Sequence, residues 1–232
     1  ERGVAATFVG HPAADEIREV ERDVAKQELS SLGVFAPGEL VALLPGSRVS
    51  EIQHLVPVFL ETAALLTRVR PGIRFVVPYA NMEVANEFEK ICPAAVRPQN
   101  IQCIQGSARL AMAGSDLVLL ASGTAALEAA LLARSMVVAY KVSVLSYVLA
   151  RVFARVKHVS MPNHLTEKPM VPEYLQGRAK PRVLTQEMDR LLSDISTRAK
   201  IEDSFRSLSK ILKNDAYEVV ADKLVDIVGV RA

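Results

Sequence analysis

Short apolar runs recur along the chain, separated by longer stretches in which apolar residues return every three or four positions. The first pattern marks buried strands and the second amphipathic helices, and their alternation is that of βαβ units carrying a parallel sheet. Strands are expected over 6–9, 40–44, 74–77, 101–104, 117–121 and 136–140. After the second of these, Ile52, Leu55, Val56, Phe59, Leu60 and Ala63 fall at helical spacing. Ser50 and Gln53 read as the capping box of that helix, and Pro57 as a bend within it. Asn81 is expected to cap a helix through Phe88 and Ile91, and Ser107 to open a short one ending near Gly114. The rhythm changes after Tyr140, where apolar helices flank a Pro-rich segment at 161–172 and the chain then reads as mostly helical.

Gly10, His11 and Pro12 break the first run. Residues 1–15 therefore read as a linker or last strand arriving from a preceding domain, 16–186 as the sheet domain and 187–232 as a helical tail. The opening Glu1-Arg2, without an initiator Met or a signal-peptide pattern, reads as part of a longer protein.

Composition narrows the class. Half of the 232 residues are hydrophobic and 23% are charged, which excludes disorder. A net charge of +2 gives no bulk attraction to nucleic acid. Cys92 and Cys103 have neither disulfide-scaffold nor zinc spacing, so a reducing cytosol is the expected compartment. Uncharged runs such as 117–127 fall short of the about twenty residues that a bilayer span needs.

Ligands of open parallel sheets bind at the carboxyl ends of strands, where loops lead into helix N-termini. One such loop is Pro45, Gly46, Ser47 and Arg48, in which glycine admits an anion, Ser47 offers a hydroxyl and Arg48 a fork of donors. The same tetrapeptide also fits an ordinary turn with a solvated arginine. A second loop, Ser122, Gly123 and Thr124, precedes a helix on which Glu128 lies about one turn further along. A carboxylate there suits sugar hydroxyls, as in dinucleotide folds, or is a plain surface glutamate. Together the loops suggest a nucleoside diphosphate. There is no P-loop, Asp-x-Asp or nucleophile elbow, and His11, His54, His158 and His164 share no metal spacing.

Several segments together resemble lipid-A-disaccharide synthase, a bacterial glycosyltransferase family of the two-domain GT-B type. They are Phe8-Val-Gly-His-Pro12, Leu43-Leu-Pro-Gly-Ser-Arg48 with Glu51-Ile52, and Ala121-Ser-Gly-Thr-Ala-Ala-Leu-Glu128. Further along come Met136-Val-Val-Ala-Tyr-Lys141, Ser160-Met-Pro-Asn163 and Val171-Pro-Glu-Tyr-Leu-Gln176. Where the family usually carries an Ala-Gly pair after the asparagine, this chain has Thr166, Glu167 and Lys168. The resemblance implies an α/β fold, the Rossmann-like, doubly wound donor-binding half of a GT-B enzyme with a helical C-terminal tail. It implies transfer of 2,3-diacylglucosamine from its UDP conjugate to 2,3-diacylglucosamine 1-phosphate, with inversion and with no metal or other cofactor. Ser47, Arg48, Ser122, Gly123 and Thr124 would hold the diphosphate and Glu128 the ribose, with Asn163 and Gln176 near the donor. The catalytic acidic residue and the acceptor site would lie in the N-terminal half. A UDP-sugar 2-epimerase of the same architecture and a non-catalytic nucleotide-binding module are the alternatives.

Lipid substrates imply a bacterial cytoplasmic enzyme bound peripherally to the inner membrane, and a homo-oligomer is compatible with the sequence. Over 143–156 the residues Leu145, Val148, Leu149, Val152, Phe153 and Val156 form one stripe flanked by Arg151, Arg155 and Lys157. Such a helix either faces lipid, with its basic stems lying along acyl chains, or packs on the sheet.

Overall fold

The computed structural model describes residues 6–34, 38–141, 158–166 and 168–228. The expected sheet forms from Leu40–Leu44 (β1), Arg74–Tyr79 (β2), Ile101–Gln105 (β3), Leu117–Ala121 (β4) and Met136–Tyr140 (β5). A short sixth strand, Glu173–Leu175 (β6), was not expected. All pairings are parallel, in the order β3-β2-β1-β4-β5-β6. This is the strand order of a Rossmann-like sheet. Every residue of β1 and β4 is buried, as their unbroken apolar sequences require of central strands covered on both faces.

The helices are Pro12–Glu16 (α1), Arg22–Ser31 (α2), Val49–Val69 (α3), Met82–Ile91 (α4), Ala108–Ala113 (α5), Thr124–Leu131 (α6), Met161–Leu165 (α7), Pro181–Ser193 (α8), Ile195–Leu212 (α9) and Ala216–Val228 (α10). α3 packs with α4 and α8, while α2, α5, α6 and α9 pack in succession. By length and composition α3 could cross a membrane, but Ile52, Leu55, Val56, Phe59, Ala63 and Leu66 are buried in the core. It runs on through Pro57. The Asn81 cap forms as expected, its Oδ1 accepting from the Val84 N–H at 2.8 Å.

Three expectations are corrected. No strand forms over 6–9: residues 6–10 carry no regular structure, Phe8 is 61% exposed, and the sheet edges are β3 and β6. α3 does not begin with a Ser50–Gln53 capping box, since Arg48 is its N-cap and Glu51 reaches back to the Arg48 N–H. Gln53 is turned instead to Glu87 at 2.8 Å. The boundary expected at 186/187 falls inside α8, which packs on α3. The stripe at 143–156 lies outside the described residues.

The helical tail folds back onto the sheet layer. Ile201, Phe205, Leu208 and Leu212 of α9 are buried, and α9 packs on α6. The Leu212 carbonyl accepts from the His11 N–H at 2.9 Å, so closely that a Cβ on Gly10 would stand 2.7 Å from it. Asp15 then caps the turn into α10, accepting from the N–H groups of Asn214, Asp215 and Ala216.

Asp116 ties β4 to β1. Its Oδ2 accepts from the Leu40 N–H at 2.9 Å and from Lys26 Nζ at 2.8 Å. Arg22 stands 3.8 Å from the other carboxylate oxygen. Asp116→Ala orphans these partly buried donors and should cost about 2 to 3 kcal/mol. Urea denaturation checks this, and an unchanged midpoint would contradict the assigned role.

Candidate functional site

Crossovers leave the sheet in opposite directions from β1 and β4, which lie side by side, so their carboxyl ends open a crevice where the strand order reverses. The two loops singled out from sequence leave these two strands. The Gly46, Ser47, Arg48 loop follows β1, and Ser122, Gly123 and Thr124 follow β4. With Glu51, Pro78, Ala108 and Glu128 they line a cavity of about 380 Å³.

The β1 loop is held by Glu51. Oε2 of Glu51 accepts from the backbone N–H groups of Ser47 at 2.9 Å and Arg48 at 3.3 Å. Gly46 adopts φ +129°, and a Cβ there would collide with the Glu51 carboxylate. A glycine is needed for both reasons. The Arg48 side chain is 79% exposed, touching Glu51 Oε1 at 3.4 Å and otherwise facing solvent. With these N–H groups engaged, the loop's available donors are the exposed Ser47 hydroxyl and the Arg48 guanidinium.

Across the crevice, α6 begins at Gly123 with no side chain capping it, so its positive end faces the cavity. The Ser122 hydroxyl is directed away from that role, donating to the Val159 carbonyl at 2.7 Å. Glu128 lines the same cavity, and its Oε1 accepts from both Nε and Nη2 of Arg109. Thus Ser47, Arg48, Ser122, Gly123, Thr124 and Glu128 are brought together.

Asn163 and Gln176 lie elsewhere, around a second cavity of about 640 Å³. Asn163 is 4% exposed and its amide is fully used: Nδ2 donates to the Val171 carbonyl and Glu173, and Oδ1 accepts from the Met170 and Val171 N–H groups. Gln176 has φ +49°, a left-handed conformation costing about 1 kcal/mol or more, and its buried Nε2 has no hydrogen-bond partner. The Ser122 bond to Val159 joins this region to the crevice.

Three organising residues were given no role from sequence: Glu51 and Glu173, which stand within the family-like segments, and Arg109. A glutamate three residues past an N-cap is a recognisable signal for the first. Arg109 and Glu173 carry no local signal, because their partners come from other elements. The Glu173 carboxylate, 9% exposed, accepts from the Val159 and Ser160 N–H groups, the Ser160 hydroxyl and Asn163, with His158 at 3.9 Å. Burial pushes its pKa up, but these hydrogen bonds outweigh burial and hold it below the ordinary glutamate value. Among the described residues, no group of three or more His, Cys, Asp or Glu side chains is placed to hold a metal ion.

The sequence profile described as Lipid-A-disaccharide synthetase matches residues 1–225. The chain belongs to this family. The lipid-A-disaccharide synthase of Chromobacterium violaceum is 39% identical over 227 residues, covering 97% of this chain and 58% of that relative. The chain thus spans under three-fifths of that relative's length. Among solved structures, WaaG, a glycosyltransferase involved in lipopolysaccharide biosynthesis, superposes with a TM-score of 0.57 at 16% identity, over 95% of this chain and 55% of its own. The E. coli ADP-heptose lps heptosyltransferase II gives 0.53 at 13% identity, over 77% and 54%. The fold is that of one half of a GT-B glycosyltransferase, as the family resemblance implied.

The depressed pKa of Glu173 has a testable sign. A folded pKa below the unfolded value stabilises the chain above that value, about 4.3, and the contribution is lost as pH falls through the folded pKa. Glu173→Gln should therefore be less stable than the parent at pH 7, with the gap closing under acid. Denaturant titrations across that range check it, and a gap independent of pH would contradict it.

Proposed function

We propose that this chain is the donor-nucleotide half of an inverting glycosyltransferase of lipid A biosynthesis. Its reaction moves 2,3-diacylglucosamine from a UDP conjugate to 2,3-diacylglucosamine 1-phosphate, releasing UDP. The observation that carries the reading is the convergence of Arg48, the α6 N-terminus and Glu128 on one crevice at the switch point of the sheet. An acceptor hydroxyl attacks the anomeric carbon, the bond from that carbon to the diphosphate oxygen breaks, and negative charge gathers on the diphosphate. Arg48 and the end of the α6 dipole are suited to hold that charge, which grows as the bond breaks and so favours the transition state. Glu128 is suited to accept hydrogen bonds from the ribose hydroxyls. The proton of the attacking hydroxyl goes to a general base, which we assign to the length of the relatives beyond the matched region.

In this reading Asn163 shapes the second cavity through Glu173, and the unpaired Gln176 amide donates to the donor beyond its nucleotide. The enzyme works in the bacterial cytoplasm against the inner membrane, where both lipid substrates reside.

Arg48→Ala and Glu128→Ala should each weaken UDP by about 1.5 to 3 kcal/mol, the scale of a charge-assisted hydrogen bond. Calorimetry with uridine separates them: Arg48→Ala should hardly change uridine binding, while Glu128→Ala weakens uridine and UDP alike. Equal loss of uridine in both variants would overturn the assignment. Turnover of the UDP-sugar by the full-length enzyme without acceptor would favour an epimerase instead.

The apolar stripe expected over 143–156, flanked by Arg151, Arg155 and Lys157, supports a membrane contact. Replacing Arg151 and Arg155 with Glu should lower flotation with anionic vesicles at low salt, each basic residue contributing about 1 kcal/mol near the surface. Undiminished flotation of a folded variant would remove this segment from the interface.

A further inference from the structure

We propose that Arg109 is a positioning residue for the nucleotide ribose, acting through Glu128. This deepens the uridine-nucleotide reading above and rests on it. Arg109 stands on α5, a helix reached from β3, whereas Glu128 stands on α6, reached from β4. The arginine donates Nε at 3.1 Å and Nη2 at 2.9 Å to the same carboxylate oxygen, Oε1. Two donors on one oxygen fix where that oxygen sits and so anchor the end of the Glu128 side chain. Oε2 is then left as the acceptor for a ligand in the cavity that Glu128 and Ala108 line together.

The guanidinium also answers a problem of charge. An unbalanced carboxylate beside a diphosphate would repel it, and a cation bound on the carboxylate's far oxygen offsets that repulsion without occupying the ligand's place. On its other side Nη2 lies 3.9 Å from Glu16 Oε2 on α1, and the Tyr217 hydroxyl of α10 donates to Glu16 Oε1 at 3.4 Å. Arg109 is therefore drawn between two carboxylates, hydrogen-bonded to Glu128 and in a longer ion pair with Glu16. It is half exposed, so replacing it leaves the hydrophobic core intact.

Calorimetry with UDP, 2′,3′-dideoxy-UDP and pyrophosphate tests the assignment on the parent, Glu128→Gln, Arg109→Ala, Arg109→Lys and the Arg109→Ala, Glu128→Gln double variant. The parent should prefer UDP to its dideoxy analogue by about tenfold, the factor set by one charge-assisted hydrogen bond. Glu128→Gln and both Arg109 variants should shrink that preference to about threefold or less. Pyrophosphate binding should stay within about twofold of the parent in Glu128→Gln, Arg109→Lys and the double variant, where no unbalanced carboxylate faces the phosphates, and the double variant should lose no more of the ribose preference than Glu128→Gln alone. If Glu128→Gln keeps the preference, the ribose reading itself falls and this inference with it. If Glu128→Gln loses the preference while both Arg109 variants retain it, only the role of Arg109 is overturned. Pyrophosphate binding weakened as much as UDP by Arg109→Ala and by the double variant alike would make Arg109 a phosphate contact and overturn the positioning role.

Discussion

Parallel pairing of β1 with β4, in register from Val41 opposite Leu117 to Leu44 opposite Leu120, is the constraint on which the site depends. These neighbours send their crossovers to opposite sides, so the sheet parts at their carboxyl ends and nowhere else along its width. The loop after each strand is thereby delivered to the same crevice. Asp116 anchors the pairing where the strands begin, taking the Leu40 N–H across a sequence separation of 76 residues. Burial of both strands on both faces leaves the pair little freedom to slip, since a shift by one residue would carry whole apolar sets out of register.

Carboxylates organise the surroundings of a site read as binding a polyanion. Glu51 holds the β1 loop by two N–H groups, Glu128 is held by an arginine fork, and Glu173 gathers four donors around α7. Each negative charge is satisfied within the protein, so none is left to repel a phosphate at full strength. Arg48 is the contrast. Its side chain is largely exposed, with one long contact to Glu51, which leaves most of its hydrogen-bonding capacity for a ligand.

The tail and the first helix belong to the same construction. α9 covers α6, the helix whose N-terminus faces the crevice, and α1 bridges α9 and α10 through the His11 backbone N–H and the Asp15 carboxylate. Glu16, one residue past Asp15, reaches Arg109. The outer helical layer is thus in contact with the side chain that orients Glu128.

Sequence by itself determined the strands, the class of sheet and the two loops, because each is written in a window of a few residues. An unbroken apolar run such as 117–121 suits a strand covered on both faces, and Gly46 followed by Ser47 and Arg48 before a helical period marks a strand-to-helix turn of the kind read here as an anion site. The same local rule misread 6–9, an apolar run with no sheet edge to pair with, and missed β6, too short to show a pattern. Tertiary structure alone decided which polar side chains are occupied. The fork from Arg109 to Glu128 spans 19 residues and joins two crossovers, and the Asn163 amide is spent on residues of the strand segment that returns to it. Hydrogen-bond capacity is chemical and can be read from residue type, but its use depends on where distant parts of the chain return, and that is set by packing of the whole sheet.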